Sequence, residues 1–462
     1  METKSSSSYL ERIVDYFYAL PYEDIDEKTL HQIHRSFLDY CGCAFYTGYN
    51  RCCQEIESFL LNRSASGNHP VWGSGRGTTA PTAACIHGCR VSNIEMDDGS
   101  GINAAVHPGL YVWTGALTAY ETHPCDEKTF TKAVLFGYDL LMRLGMLGAK
   151  SVSKLELHGP GLSGALGTAA AAGMVMGLNR EQMLRALGIA GSLLPLCPFI
   201  SFVQGVTVKD FYGGWGCYLG MLAVEMAKEG MTGSAQIMDG DKSLKEFYFD
   251  DWGKNTPFGE PYYINVIGFK EYPACLALHP MLIALETLQK EAPLDYRQIR
   301  RVKLQVSPSA MALSGGVTFP LSPTSARIYL PYAAAAALVE GRAHPDSFLP
   351  GSLERKDYAS LMERIEVETE EAYGRQGIRA CRAEIELEDG RILQTEIKGI
   401  RWCDGPVEDE ALIRKFSMLT EGILSPKEQG YWQDLILNGG LLSGASAVLA
   451  ELGREHDGNR HH

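Results

Sequence analysis

Charge is sparse in this chain. Of 462 residues, 42 are Lys or Arg and 56 are Asp or Glu; charged residues make up 21% and hydrophobic ones 45%. That composition is ordinary for a globular protein and excludes a disordered one. No run of Lys or Arg exceeds a pair, and the formal net charge is −14. A nucleic-acid partner is thereby excluded, because phosphate binding needs a basic face. Residues 1–9 lack a basic stretch followed by an apolar run, so no secretory leader is expected and a cytoplasmic location is. There is no internal repeat and no low-complexity tract. Zinc spacing is also missing. The pairs Cys41/Cys43, Cys52/Cys53 and Cys85/Cys89 have no matching second pair, so the 12 cysteines read as free thiols and no metal is expected.

Two stretches lack charge altogether, 159–178 and 187–208, and both exceed the length cue for a membrane span. The first is mostly Gly and Ala, the second carries Pro195, Pro198 and Gln204, and neither has basic or aromatic flanks. Both are expected to be helices buried in a large helical core, with no membrane contact.

What is present is helical periodicity. Ile25, Leu30, Ile33, Phe37, Leu38 and Cys41 recur at helical spacing within residues 9–60. Further helices are expected over 83–94, 107–120, 129–147, 164–178, 180–194 (Asn179 as N-cap) and 212–229, with a loop over 67–82. The pattern changes near Phe269. Alternation over 301–306 and 365–369, and a hairpin of 381–387 and 392–397 on an Asp389-Gly390 turn, predict strands, with helices over 280–290 and 329–339 between them. After Trp402 helices return, over 408–416, 428–438 and 442–452. The fold expected is mainly α: a large helical domain built from residues 1–267 and 401–462, and a smaller α+β lid domain over 268–400.

Five segments carry groups suited to proton transfer or anion binding. Ile94-Glu95-Met96-Asp97-Asp98-Gly99, followed by His107-Pro108-Gly109, places three acids within four residues, which is costly unless their charge is used or neutralised; a capped acidic helix end is the plainer alternative. His158-Gly159-Pro160-Gly161 precedes a helix and is either an anion-binding turn or simply a tight turn; it is neither a P-loop nor a dinucleotide fingerprint. Lys209 ends an apolar run, where it either snorkels or meets an anion. Lys270, Tyr272, Cys275 and His279 fall within ten residues at the expected domain boundary, where ligand clefts form. Arg327, followed by Tyr332, is a candidate carboxylate clamp or a surface arginine.

The order of these segments resembles the MmgE/PrpD family, most specifically in Asp97-Asp98…His107-Pro108 and in Lys270 to His279. The resemblance implies a homodimer that works without a cofactor on small di- or tricarboxylates, moving a proton on a carbon α to a carboxylate. His107, Lys270, Tyr138 and Asp97 are then expected to be catalytic. Glu95, His158, Lys209, Tyr272, His279, Arg327 and Tyr332 are expected to bind substrate. His107 is the first choice of proton carrier, since histidine titrates near neutrality, and the lysines are expected to make the cleft locally cationic. Glu95 stands where the family's decarboxylases have Asp, Gly99 follows where they have Thr, and the spacing to His107 is longer by two. A dehydratase or decarboxylase is the leading expectation. An epimerase of a dicarboxylate such as iminodisuccinate, with Tyr138 as acid/base partner, is the second, and a non-catalytic binding dimer of the same fold is the third.

Overall fold

The computed structural model describes residues 7–50, 52–100, 106–252, 255–292, 294–314, 319–375 and 378–455. Helix starts follow local capping chemistry. Ser8 and Glu11 form a capping box on helix Tyr9–Ala19, Asp26 caps Glu27–Tyr49, Asp126 caps Glu127–Lys154, and Asn179 with Gln182 boxes Arg180–Ser192.

At the centre lies the Gly/Ala-rich helix Gly159–Val175, buried along its whole length. Helices Pro108–Tyr120, Glu127–Lys154 and Asp210–Lys228 pack around it. The small residues make this possible. A Cβ on Gly164 would lie 2.1 Å from the Tyr111 ring, and one on Gly167 would lie 2.2 Å from Leu141. These helices and the C-terminal helices Asp409–Leu419, Pro426–Asn438 and Leu441–Leu452 share one apolar core, drawn from residues 9–269 and 412–452.

A second core draws on residues 272–397. Its sheet runs in the order Ile365–Thr369, Ile299–Val306, Ala380–Leu387, Ile392–Lys398, with the first pair parallel and the others antiparallel. Alternate residues Val302, Leu304 and Val306 are buried, and helices His279–Glu291 and Leu330–Glu340 pack on the sheet. The fold is mainly α with a smaller α+β part, as expected.

Two local expectations fail. Residues 67–82 are not all loop, since His69–Val71 pairs with Arg76–Thr78 as a short hairpin. The uncharged stretch 187–208 is not one buried helix. The helix ends at Ser192, and Pro195 and Pro198 stop it from resuming, leaving Leu196, Ile200 and Val208 exposed. Among the described residues no helix is long and apolar enough to cross a membrane.

The C-terminal return is tied in by a buried ion pair. The Lys415 ammonium donates to Asp39 Oδ1 at 2.5 Å and to the Met96 carbonyl at 2.6 Å. Burial holds the Asp39 carboxyl up, to about 6, against the pull of Lys415. Lys415→Met leaves Asp39 buried without its cation and is expected to cost about 3–5 kcal/mol. Denaturant titration should show that loss, and the double variant Asp39→Leu/Lys415→Met should recover most of it.

Candidate active site

The acidic segment follows helix Ala80–Asn93. Its first acid, Glu95, has a left-handed backbone, φ +53°, which costs a non-glycine residue about 1–2 kcal/mol. That turn sends its carboxylate inward. Lys209, in the turn before helix Asp210–Lys228, donates to Glu95 Oε1, and Lys270 donates to Glu95 Oε2 at 2.7 Å. Lys270 Nζ also lies 3.4 Å from Asp97 Oδ1. A two-residue antiparallel ladder, Gly99 with Gly268 and Ser100 with Ile267, brings the Lys270 segment alongside the acidic one.

All four groups are buried. Burial raises the Glu95 carboxyl, but Lys209, Lys270 and His107 outweigh it and hold it well below the usual range. Burial also works against the Lys270 ammonium, yet Asp97 and Glu95 raise its affinity for the proton above the ordinary value. The expected cationic cleft is therefore corrected. Two ammoniums face two carboxylates, so these four groups carry no net charge.

His107 stands beside them, half-buried at the start of helix Pro108–Tyr120. Its Nδ1 lies 2.5 Å from the Asp98 carbonyl oxygen and 3.4 Å from Asp97 Oδ2. A carbonyl only accepts, so Nδ1 carries the proton and Nε2 keeps the lone pair of a base. Burial and Lys270 lower its pKa from 6.5, only partly offset by Asp97 and Glu95.

His158 has the opposite tautomer. As N-cap of Gly159–Val175 its Nδ1 accepts from the Gly161 N–H at 3.2 Å, which leaves the proton on Nε2. Burial, then Lys209 and His107, push its pKa down to about 3, so it is a neutral donor. Its ring lies 5.5 Å from that of Phe202, over which the Lys209 ammonium stands at 5.0 Å.

Tyr138 is placed differently from expectation. It is fully buried, its hydroxyl donates to Asp98 Oδ2 at 2.8 Å, and it accepts from Trp113 Nε1 at 3.1 Å. The other Asp98 oxygen accepts from the Gly109 N–H at 2.8 Å. Tyr138 therefore braces Asp98, and Asp98 braces His107, rather than facing substrate. Burial raises the Asp98 carboxyl well above its ordinary value.

Tyr272, His279 and Tyr332 bond none of the clustered groups: the two tyrosine hydroxyls are used elsewhere, and His279 uses Nε2 while its buried Nδ1 has no partner. Tyr272 donates to Glu286, His279 Nε2 to the Ala274 carbonyl at 3.2 Å, and Tyr332 to the Ser347 carbonyl at 2.7 Å. Arg327 lines a separate cavity that none of the clustered acids, lysines or histidines lines. Sequence reasoning missed Lys415 and Asp39. Their one signal was a charged residue on an otherwise apolar helix face, Lys415 between Leu412 and Phe416 and Asp39 between Leu38 and Tyr40. Among the described residues no cluster of three or more metal-ligating side chains occurs.

Two histidines of opposite tautomer beside a neutralised lysine–carboxylate knot make a site for acid–base chemistry on an anion. Residues 11–256 match the MmgE/PrpD N-terminal domain and residues 272–438 the MmgE/PrpD C-terminal domain. The chain belongs to the MmgE/PrpD family. Among its relatives is a cis-aconitate decarboxylase-like protein of Aspergillus oryzae, 22% identical over 466 residues, covering 94% of each chain. The human cis-aconitate decarboxylase is 25% identical over 378 residues, 78% of this chain and 76% of that one, and the Aspergillus terreus enzyme is 22% identical over 480 residues, 97% and 96%.

Lys270 is the cation that lowers the His107 pKa most. Lys270→Met removes that cation and leaves Asp97 and Glu95 less compensated, so both effects raise the His107 pKa. Imidazole NMR titration should place His107 below 6.5 in the wild type and higher in the variant.

Proposed function

We propose that this protein is a lyase of the dehydratase or decarboxylase type that needs no cofactor and acts on a small di- or tricarboxylate. His107 moves the proton at the carbon α to a carboxylate. The observation that carries this reading is the His107 geometry, with Nδ1 fixed on Asp98 and Nε2 left as the base within the Glu95–Lys209–Lys270–Asp97 cluster. A lowered pKa keeps that base neutral at physiological pH. In a dehydration it accepts the α-proton as hydroxide leaves the neighbouring carbon; in a decarboxylation CO₂ leaves and the same nitrogen, protonated from solvent, gives its proton to the carbon left behind.

The substrate's charge is met by donors rather than by excess cations. Each ammonium has three N–H groups, and Glu95 and Asp97 use only some of them. A substrate carboxylate takes the remaining ones together with the His158 Nε2–H. As negative charge develops on the carboxylate next to the reacting carbon, the same donors stabilise it in a site shielded from water. Glu95 sets the distance between the two lysines and so the spacing of carboxylates that fit. The relatives' names support a decarboxylase-type lyase. A homodimer is part of the proposal by family resemblance. The epimerase reading needs a second base on the opposite face, and Tyr138, its candidate, is held by Asp98 and Trp113.

The test is incubation in D₂O with 2-methylcitrate, cis-aconitate, citrate and iminodisuccinate, followed by NMR. Loss of water or CO₂ is expected. Deuterium at the α-carbon with inverted configuration and no loss of mass would instead establish an epimerase. His107→Ala should lower turnover at least about 10²-fold, and near-wild-type turnover would remove His107 from the mechanism. For dehydration, which needs the unprotonated base, kcat/KM should fall on acidification with an apparent pKa below 6.5; for decarboxylation, which needs the protonated imidazole, it should fall instead as pH rises through that pKa.

A further inference from the structure

A large cavity lies apart from the histidine–lysine cluster. It measures about 1380 Å³ and lies between Asn50, Cys52, Cys53 and the start of helix Gln54–Leu61, the segment Thr207–Phe211, and residues 321–327 and 346–353. Much of its wall is apolar, including Phe59, Val208, Leu321, Leu349 and Leu353. Among the described residues one cation lines it. Arg327 is 1% exposed, and its Nε and Nη1 have no hydrogen-bond partner. Its guanidinium otherwise stands 5.6 Å from the Phe348 ring. Leaving charged N–H groups buried and unbonded costs more than a typical hydrogen bond gains, so the site is poised for an acceptor.

Three carboxyl groups also line this cavity, those of Glu55, Asp210 and Asp346. Asp346 accepts from the Tyr46 hydroxyl at 2.5 Å. Asp210 accepts through Oδ2 from Thr324 at 2.7 Å and Asn93 at 3.0 Å, while its buried Oδ1 has no partner. With one cation and three acids, a doubly charged ligand is poorly matched. One carboxylate, placed at the guanidinium and away from the acids, is the most negative charge the lining can take, and a long apolar body fills the rest. The volume exceeds what a small tricarboxylate needs.

We propose that this cavity is a second ligand site, taking a monocarboxylate with an extended apolar body whose carboxylate binds Arg327. The proposal does not rest on the catalytic reading. The segment Thr207–Phe211 separates the two sites. Val208 and Asp210 line the cavity, while Lys209 between them reaches Glu95 on the other side.

Calorimetric titration of the full chain with octanoate tests it. Saturable binding near one per chain is expected, weakened at least about tenfold by Arg327→Gln. Leu353→Trp, which fills the cavity and leaves the guanidinium in place, should weaken it as well and guards against a folding defect in the first variant. Absence of saturable binding, or unchanged affinity in both variants, would overturn the site. Equal binding of octanamide would overturn the role of charge, and displacement by inorganic phosphate the preference for a monocarboxylate. Displacement by cis-aconitate would merge the cavity with the substrate site and overturn its independence. None of these readouts depends on turnover, so the proposed lyase activity stands or falls separately.

Discussion

The structure depends on one carboxylate shared by two lysines. Glu95 is 114 residues from Lys209 and 175 from Lys270, so its two oxygens hold together the acidic segment, the start of a core helix and the strand entering the second core. Three buried charges in contact are tolerable only as a set. Removing any one strands the others away from water, where an unpaired charge is costly. The left-handed turn at Glu95 is a cost accepted to aim that carboxylate.

Support for the cluster comes from groups that never reach it. Lys415 holds the Met96 carbonyl between Glu95 and Asp97, and so anchors the acidic segment to the C-terminal helices. Trp113 holds Tyr138, and Tyr138 holds Asp98, whose backbone carbonyl fixes the His107 tautomer and whose side chain caps the following helix through Gly109. The C-terminal return of the chain thus has a local purpose. It brings a buried cation to the loop on which the candidate base depends.

Neutrality of the four-group cluster bears on specificity. With lysines and carboxylates balanced, binding relies on the number and direction of N–H donors more than on net attraction. His158 as donor and His107 as acceptor supply direction. On the proposed lyase reading, such a site would discriminate by the spacing of substrate carboxylates, because a misplaced carboxylate leaves a buried donor unbonded.

Much of the fold was legible in the sequence, because helical periodicity, Ser, Asp and Asn caps, and the Asp389-Gly390 hairpin are local signals that tertiary packing did not override. The stretch 187–208 misled, since absence of charge is compatible with exposure once two prolines break the helix. Of the candidate site, the sequence by itself determined which chemistry was available: His107, His158, Lys209, Lys270 and the acids between Glu95 and Asp98. Only the tertiary structure decided that Glu95 bridges both lysines, that Tyr138 donates to Asp98, and that Arg327 lines a different cavity. Pairing between charges depends on distance and burial, and contacts between residues more than a hundred positions apart leave no mark in local spacing.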